Sequence, residues 1–214
     1  MLLALLFISQ TTLKPVAKVS AEAIEEMSGI VKSRRFADTY WVHNDSGDVA
    51  RVFAIRKDGS LISPAEGIRI QLAKNIDWED IATDGKNLYV SDLGNNGNSR
   101  KDLGIYVFAE PDPAKGEPVS KASFLPVRYP DQKAFPPEQR YFDCEAIFCL
   151  RGKLYAITKH RMNAFMPATS ANLYRLDTRW TDEPNTLVKI DGEADLGGWV
   201  TAADVSPDGK TLAV

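Results

Sequence analysis

Short apolar runs separated by glycine and polar clusters recur along the chain, and four passages share one template. Each has a small or acidic residue, an aliphatic strand, a turn, and a second strand. The first joins Ser28-Gly29-Ile30-Val31 to Tyr40-Trp41-Val42-His43-Asn44-Asp45. The second runs from Glu79-Asp80-Ile81-Ala82 through Asp84-Gly85-Lys86 to Leu88-Tyr89-Val90-Ser91-Asp92. The third is Glu145-Ala146-Ile147-Phe148, Arg151-Gly152-Lys153 and Leu154-Tyr155-Ala156-Ile157-Thr158. The fourth is Ala203-Asp204-Val205, Asp208-Gly209-Lys210 and Leu212-Ala213-Val214. Third strands follow the first three at Arg51–Ile55, Gly104–Phe108 and Asn172–Leu176, and weaker fourth strands at Gly67–Leu72, Ala122–Tyr129 and Thr186–Ile190. β-branched and aromatic residues dominate these runs, as a half-buried pleated surface requires, and no stretch sustains a helical period with caps.

The pattern predicts an all-β chain. Trp41, Tyr89, Tyr155 and Ala213 mark equivalent positions 48, 66 and 58 residues apart. Four short antiparallel strands in about 40–50 residues make one propeller blade, longer loops supplying the excess. The expected fold is a β-propeller with three four-stranded blades, at about 26–73, 76–130 and 140–192, and the start of a fourth at 199–214. A sandwich or simple barrel would not regenerate the same strand–turn–strand unit four times. Because Val214 falls inside the fourth unit's second strand, the chain reads as a fragment of a larger propeller. Asp-Gly at 84–85 and 208–209 suggests type I′ hairpins, whose two central residues both need positive φ.

Residues 1–21 have a different character. Met1–Ile8 is an unbroken apolar run, far short of the ~20 residues of a membrane span, so no transmembrane span is expected. It resembles the apolar centre of a signal peptide, with Val19-Ser20-Ala21 offering a cut before Glu22 and leaving a domain of residues 22–214. No Lys or Arg precedes the run, and Lys14 and Pro15 intrude before the cut. A misplaced start or a first strand is the other reading. The expected localisation is periplasmic or secreted.

Net charge is −3, with basic residues scattered among acids, so nucleic acid is not an expected partner. Cys144 and Cys149 share one strand-like run, where five residues of extended chain separate them by ~16 Å and place them on opposite faces. A disulfide needs Cα atoms within ~7 Å, so they read as free, packed thiols. No Cys-x-x-Cys pair supports zinc.

Ser206–Val214, SPDGKTLAV, resembles the strand–turn–strand phrase of WD-repeat-like and TolB-like bacterial propellers. The first three repeats are similar to exported bacterial propellers of uncharacterised function, and to a neighbouring phytase- or esterase-like group with an acidic strand, a Gly turn and an LYV strand. The resemblance spans about residues 26–214 and implies blades; it assigns no catalytic residue.

In a propeller, blade-entry segments and the loops between second and third strands share one face. The matching acids Glu79 and Glu145 are therefore candidate oxygen ligands for Ca²⁺, which takes ~6–8 oxygens. Repeated acids also serve simply as acceptors for backbone N–H groups. Asn44 and Asp92 match each other, and with Asp45, Asn95, Asn96, Lys159 and Arg161 they form the candidate ligand-binding set. The Gly/Asn-rich loop 93–100 is either an anion-binding nest or an ordinary turn. His43 and His160, the two histidines, are candidate general bases, though a strand histidine is more often a satisfied core residue. Asp80 and Asp204 read as blade-stabilising. The expected function is an exported binding scaffold for a protein, glycan or small ligand at its channel face. The alternative is a calcium-dependent hydrolase of phosphoesters, esters or lactones, with Ca²⁺ at the channel mouth.

Overall fold

The computed structural model describes residues 14–19, 21–119, 121–163, 166 and 168–214, with backbone alone at 193–194. The apolar run of the expected leader lies outside them. Among the described residues the chain is all β, and no helix is long and apolar enough to cross a membrane.

Among the described residues, fifteen strands form four sheets in chain order, antiparallel except where β12 joins β8. The first sheet is β1 (Met27–Lys32), β2 (Tyr40–Asn44), β3 (Arg51–Ile55) and β4 (Ile68–Arg69). The second is β5 (Ile81–Thr83), β6 (Asn87–Asp92), β7 (Gly104–Ala109) and β8 (Ser123–Arg128). The third is β9 (Arg140–Leu150), β10 (Lys153–Arg161), β11 (Ser170–Leu176) and β13 (Val188–Asp195), while β12 (Asn185–Thr186) attaches to β8 in the second. A two-stranded unit, β14 (Asp204–Val205) and β15 (Leu212–Ala213), follows.

Strand alternation explains how the sheets stack. Leu88 and Val90 pack with Trp41, Val52 and Ile68 between the first and second sheets, whereas Tyr89 between them in sequence packs with Leu154, Tyr174 and Leu176 of the third. The third sheet repeats the rule: Ile147 faces the second sheet, and Ala146 and Phe148 face Val205 of β14. Successive side chains of a strand point to opposite faces, so the second and third sheets are apolar on both. The first strands also meet in order, β1 against β5, β5 against β9 and β9 against β14. Gly29 permits the first approach, since a Cβ there would sit 2.9 Å from the Asp80 Cα.

Two further devices bind neighbouring sheets. The segment before each new outer strand lies parallel along the outer strand of the preceding sheet: Val119 pairs with Ile70, and Asn185–Thr186 with Val127–Arg128. These clasps use backbone groups that an edge strand would leave unpaired. Buried Glu110 of the second sheet accepts from Trp41 Nε1 (2.7 Å) and Ser33 Oγ (2.5 Å) of the first. Near the N-terminus, Val19 packs beside Val42, Phe53 and Ile55.

Two expectations are corrected. Asp84 and Asp208 do not take positive φ; Gly85 (φ 89°) and Gly209 (φ 68°) alone do. Their turns are closed by side chains, Asp84 Oδ1 accepting from the Lys86 and Asn87 amides and Asp208 Oδ1 from that of Lys210. The two-residue loop with both φ values positive is Arg151–Gly152 (51° and 75°). Second, Cys144 and Cys149 join the same core cluster instead of opposite faces. Glu145 is an extra residue in β9, because Ile157 pairs with Ala146 while Thr158 pairs with Cys144. That bulge reverses the alternation between the cysteines. Both thiols are free and buried.

Candidate functional site

The bulge at Glu145 lies where three sheets bring carboxylates together. Asp45 follows β2 and is placed by its own amide, which donates to the Glu26 carbonyl (2.8 Å), and by Asn75 Nδ2, which donates to its carbonyl (2.6 Å). Asp77 and Glu79 flank Trp78, a fully buried ring whose Nε1 donates to the Lys74 carbonyl (3.0 Å). The Asp77 amide donates to Asp92 Oδ1 (3.1 Å), and the Glu79 amide to the Ser91 carbonyl (3.1 Å). Trp78 thus anchors the segment that carries the two acids.

One carboxylate oxygen each from Asp45, Asp77 and Glu79 lie within 4.8 Å of one another, and oxygens of Glu79, Asp143 and Glu145 do the same. Glu79 joins the two groups, and it is 6% exposed. Gly94 closes the floor: a Cβ there would overlap Glu79 Oε1 and the Asp77 carboxyl group.

The halves differ electrostatically. Lys159 pairs with Glu145 and stands 3.7 Å from Asp143, which Arg161 approaches at 3.5 Å. Asp45, Asp77 and Glu79 make no salt bridge among the described residues. Burial, reinforced by Asp77, Asp143 and Asp45, pushes the Glu79 carboxyl group up to about 8. Asp77 is raised for the same reasons, burial first and then Asp45. Burial also lowers Lys159, with Arg161 adding to the effect and Asp143 opposing it.

The other candidates fall around this centre. Asp92 pairs with Arg100 at 2.9 Å, and its Oδ2, like Asn44 Oδ1, is buried without a hydrogen-bond partner. Asn44 Nδ2 is used on Ala23 and Asp48. Asn95 donates its amide to Asp143 Oδ1 (2.7 Å) and Nδ2 to the Phe142 carbonyl (3.1 Å), and Asn96 accepts from Arg161. Loop 93–100 therefore docks on the third sheet, and the Asn95 amide is not available to an anion. Lys159 and Arg161 lie 5.1 and 4.6 Å from the ring of half-exposed Trp199.

Both histidines are buried, each with at least one ring nitrogen hydrogen-bonded. His43 is fully buried, bonds Asn44 O through Nδ1 (2.8 Å) and packs edge-on to Trp78, and burial lowers its pKa. His160 contacts Ser170 Oγ (2.9 Å) and Thr158 Oγ1 (3.1 Å) and stacks on Tyr141; burial and then Lys189 bring it down to about 4. Asp80 braces three sheets: Oδ1 accepts from the Ile81 amide (2.8 Å), and Oδ2 from those of Ile147 (2.8 Å) and Ala203 (3.4 Å).

Asp77 and Asp143 are the site residues that the repeat template leaves out. Their signal is the shared phrase Asp-x-Glu, at 77–79 and 143–145. Each phrase supplies two acids to the cluster, Asp77 and Glu79 from the segment before β5 and Asp143 and Glu145 across the β9 bulge. Comparison with known protein families and with curated proteins returns no match.

Proposed function

We propose that the successive sheets are blades of a β-propeller, and that the protein is an exported binding module whose mouth holds a divalent cation, Ca²⁺ by preference. The ordered contacts of the first strands and the apolar packing on both faces of the middle sheets support the radial reading. The observation that carries the cation is the meeting of Asp45, Asp77 and Glu79 within 4.8 Å with, among the described residues, no ammonium or guanidinium paired to any of them. Hard carboxylate oxygens without nitrogen or sulfur ligands suit Ca²⁺ or Mg²⁺, and water completes such shells. Bound there, the cation supplies a positive centre to which an anionic or polyhydroxyl group of a ligand attaches. The chain's own residues position it: Trp78 fixes the acids, Gly94 leaves them room, and Lys159 with Arg161 offsets the charges of Glu145 and Asp143 beside them.

Calorimetric titration of Ca²⁺ into the intact chain tests the proposal. Binding is expected with Kd about 10⁻⁴–10⁻³ M, the range of extracellular modules. At a hundredfold excess over Kd, stability should rise by about 2.7 kcal/mol, and Tm by about 5–10 °C. Glu79→Gln should remove both effects. No heat and no Tm shift with Ca²⁺ or Mg²⁺ would end the cation reading.

One observation favours the hydrolase alternative. Glu79, held near 8, is protonated at neutral pH beside other acids, an arrangement that suits a general acid. Turnover of nitrophenyl esters, nitrophenyl phosphates or a lactone that needs Ca²⁺ and is lost in Glu79→Gln would establish it. Absence of turnover alongside Ca²⁺ binding leaves the binding module.

A further inference from the structure

A second concavity, lined by none of the clustered acids, lies at the seam where clasp strand β12 meets β8. It encloses about 500 Å³, within the ~300–1,000 Å³ typical of small-molecule sites. Four cationic side chains line it, Arg100, Lys101, Arg128 and Lys133, and no carboxylate does. In a chain of net charge −3 this is a local reversal of sign.

The charges differ in availability. Arg100 is committed to Asp92 (2.9 Å) and Asp102 (3.1 Å). Lys101, Arg128 and Lys133 take part in no salt bridge among the described residues. Lys133 Nζ donates to the Pro130 carbonyl (2.5 Å) and Arg128 Nε to Thr186 Oγ1 (2.8 Å), which orients both and leaves further N–H groups on each. Lys101 Nζ stands 5.1 Å from the Phe135 ring, and that ring is 42% exposed.

Between these cations the wall is apolar: buried Leu103 and Val127, with Pro126, Pro130 and Pro184. Proline fixes φ and carries no N–H, so this wall is stiff and offers few backbone donors. A hydrated inorganic ion would leave such surface uncovered. A wholly apolar ligand would leave three cations without counter-charge. The matching ligand has both an anionic edge and a flat apolar body.

We propose that this cavity binds a small organic anion, an aryl or fused-ring carboxylate or sulfonate. Its acidic group meets Lys101, Arg128 and Lys133, and its ring lies on Leu103, Val127 and Phe135. The site uses none of the three acids of the cation site and needs no Ca²⁺.

The test uses the intact chain and 2-naphthoate, with neutral 2-naphthamide as the charge control, followed by ligand-observed NMR and calorimetry at low salt. Naphthoate should bind with Kd about 1 mM or tighter, from the efficiency of ligands of this size, and naphthamide about tenfold more weakly. Lys101→Glu and Arg128→Glu should each weaken naphthoate about tenfold while barely moving naphthamide. Phe135→Ala should weaken both ligands together. These positions are exposed at the surface, and an unchanged melting curve confirms folding of each variant. The milder Lys101→Ala serves where charge reversal perturbs the fold. The proposal is overturned if naphthoate does not bind at 5 mM-scale concentrations, ~5 times that Kd. Equal binding of acid and amide, or naphthoate binding unmoved by both charge reversals, would overturn it as well.

Discussion

Glu79 is the acid under electrostatic tension at the centre of the cluster. Its carboxyl group titrates near 8 in the folded chain against about 4.5 free, because it is buried among Asp77, Asp143 and Asp45. An acid raised on folding is ionised more readily in the unfolded chain. Its penalty is therefore absent below about 4.5, grows as pH rises from there to about 8, and is constant above, at ~1.4 kcal/mol per unit of displacement. In chelator, Glu79→Gln should raise Tm by about 5 °C or more at pH 9 and leave it unchanged at pH 4. Thermal melts across that range check the sign. Ca²⁺ binding, which needs the ionised group, should strengthen as pH passes through about 8. The thiols make a separate prediction: burial holds Cys144 and Cys149 up at about 12, so the native chain should resist iodoacetamide at pH 8 and react at both positions once unfolded. At this scale the sequence shows part of the site. Glu79 and Glu145 stand out as repeated acids, but Asp77 and Asp143 are recognisable only through the Asp-x-Glu phrase. That Lys159 lies on Glu145 follows from strand pairing across the bulge, which composition does not express.

Among the elements, β5 and the segment entering it carry several of the inter-sheet connections. Asp80 accepts amides from its own sheet, from β9 and from the approach to β14. Asp80→Asn would place an NH₂ group against at least one of those donors, at a cost of about 2–3 kcal/mol, read by denaturant melts. Gly94→Ala should cost about 1–3 kcal/mol through overpacking and weaken Ca²⁺ at least about tenfold by separating Asp77 from Glu79. Calorimetry beside melts separates the two effects. The strands themselves are legible, since β-branched and aromatic runs bounded by Gly are local signals. The turns and bulges are less so. Asp-Gly at 84–85 satisfies its amides through the aspartate side chain, whereas Arg151–Gly152, a weaker sequence signal, takes the two-residue turn. The bulge at Glu145 is set by how β9 meets β10, and it alone brings both cysteines to one face.

For the whole molecule, the central proposition is that residues from the loop after β2, from the entry to β5 and from β9 face one opening. Asp45 and Asp143 are 98 residues apart in sequence, and each has an oxygen within 4.8 Å of one on Glu79. Sheets succeeding one another with shared apolar faces explain that meeting, because every first strand then lies beside the next. The spacing of the repeats announces this order. It does not announce the parallel clasps at Val119 and Asn185–Thr186, which depend on backbone pairing between sheets. The most direct measurement is a crystal structure of the intact chain soaked with Mn²⁺ or Tb³⁺ and phased on anomalous scattering. The account predicts one strong peak about 2.0–2.6 Å from carboxylate oxygens of Asp45, Asp77 and Glu79, lost in Glu79→Gln. A peak elsewhere, or these three acids dispersed over separate surfaces, would contradict it.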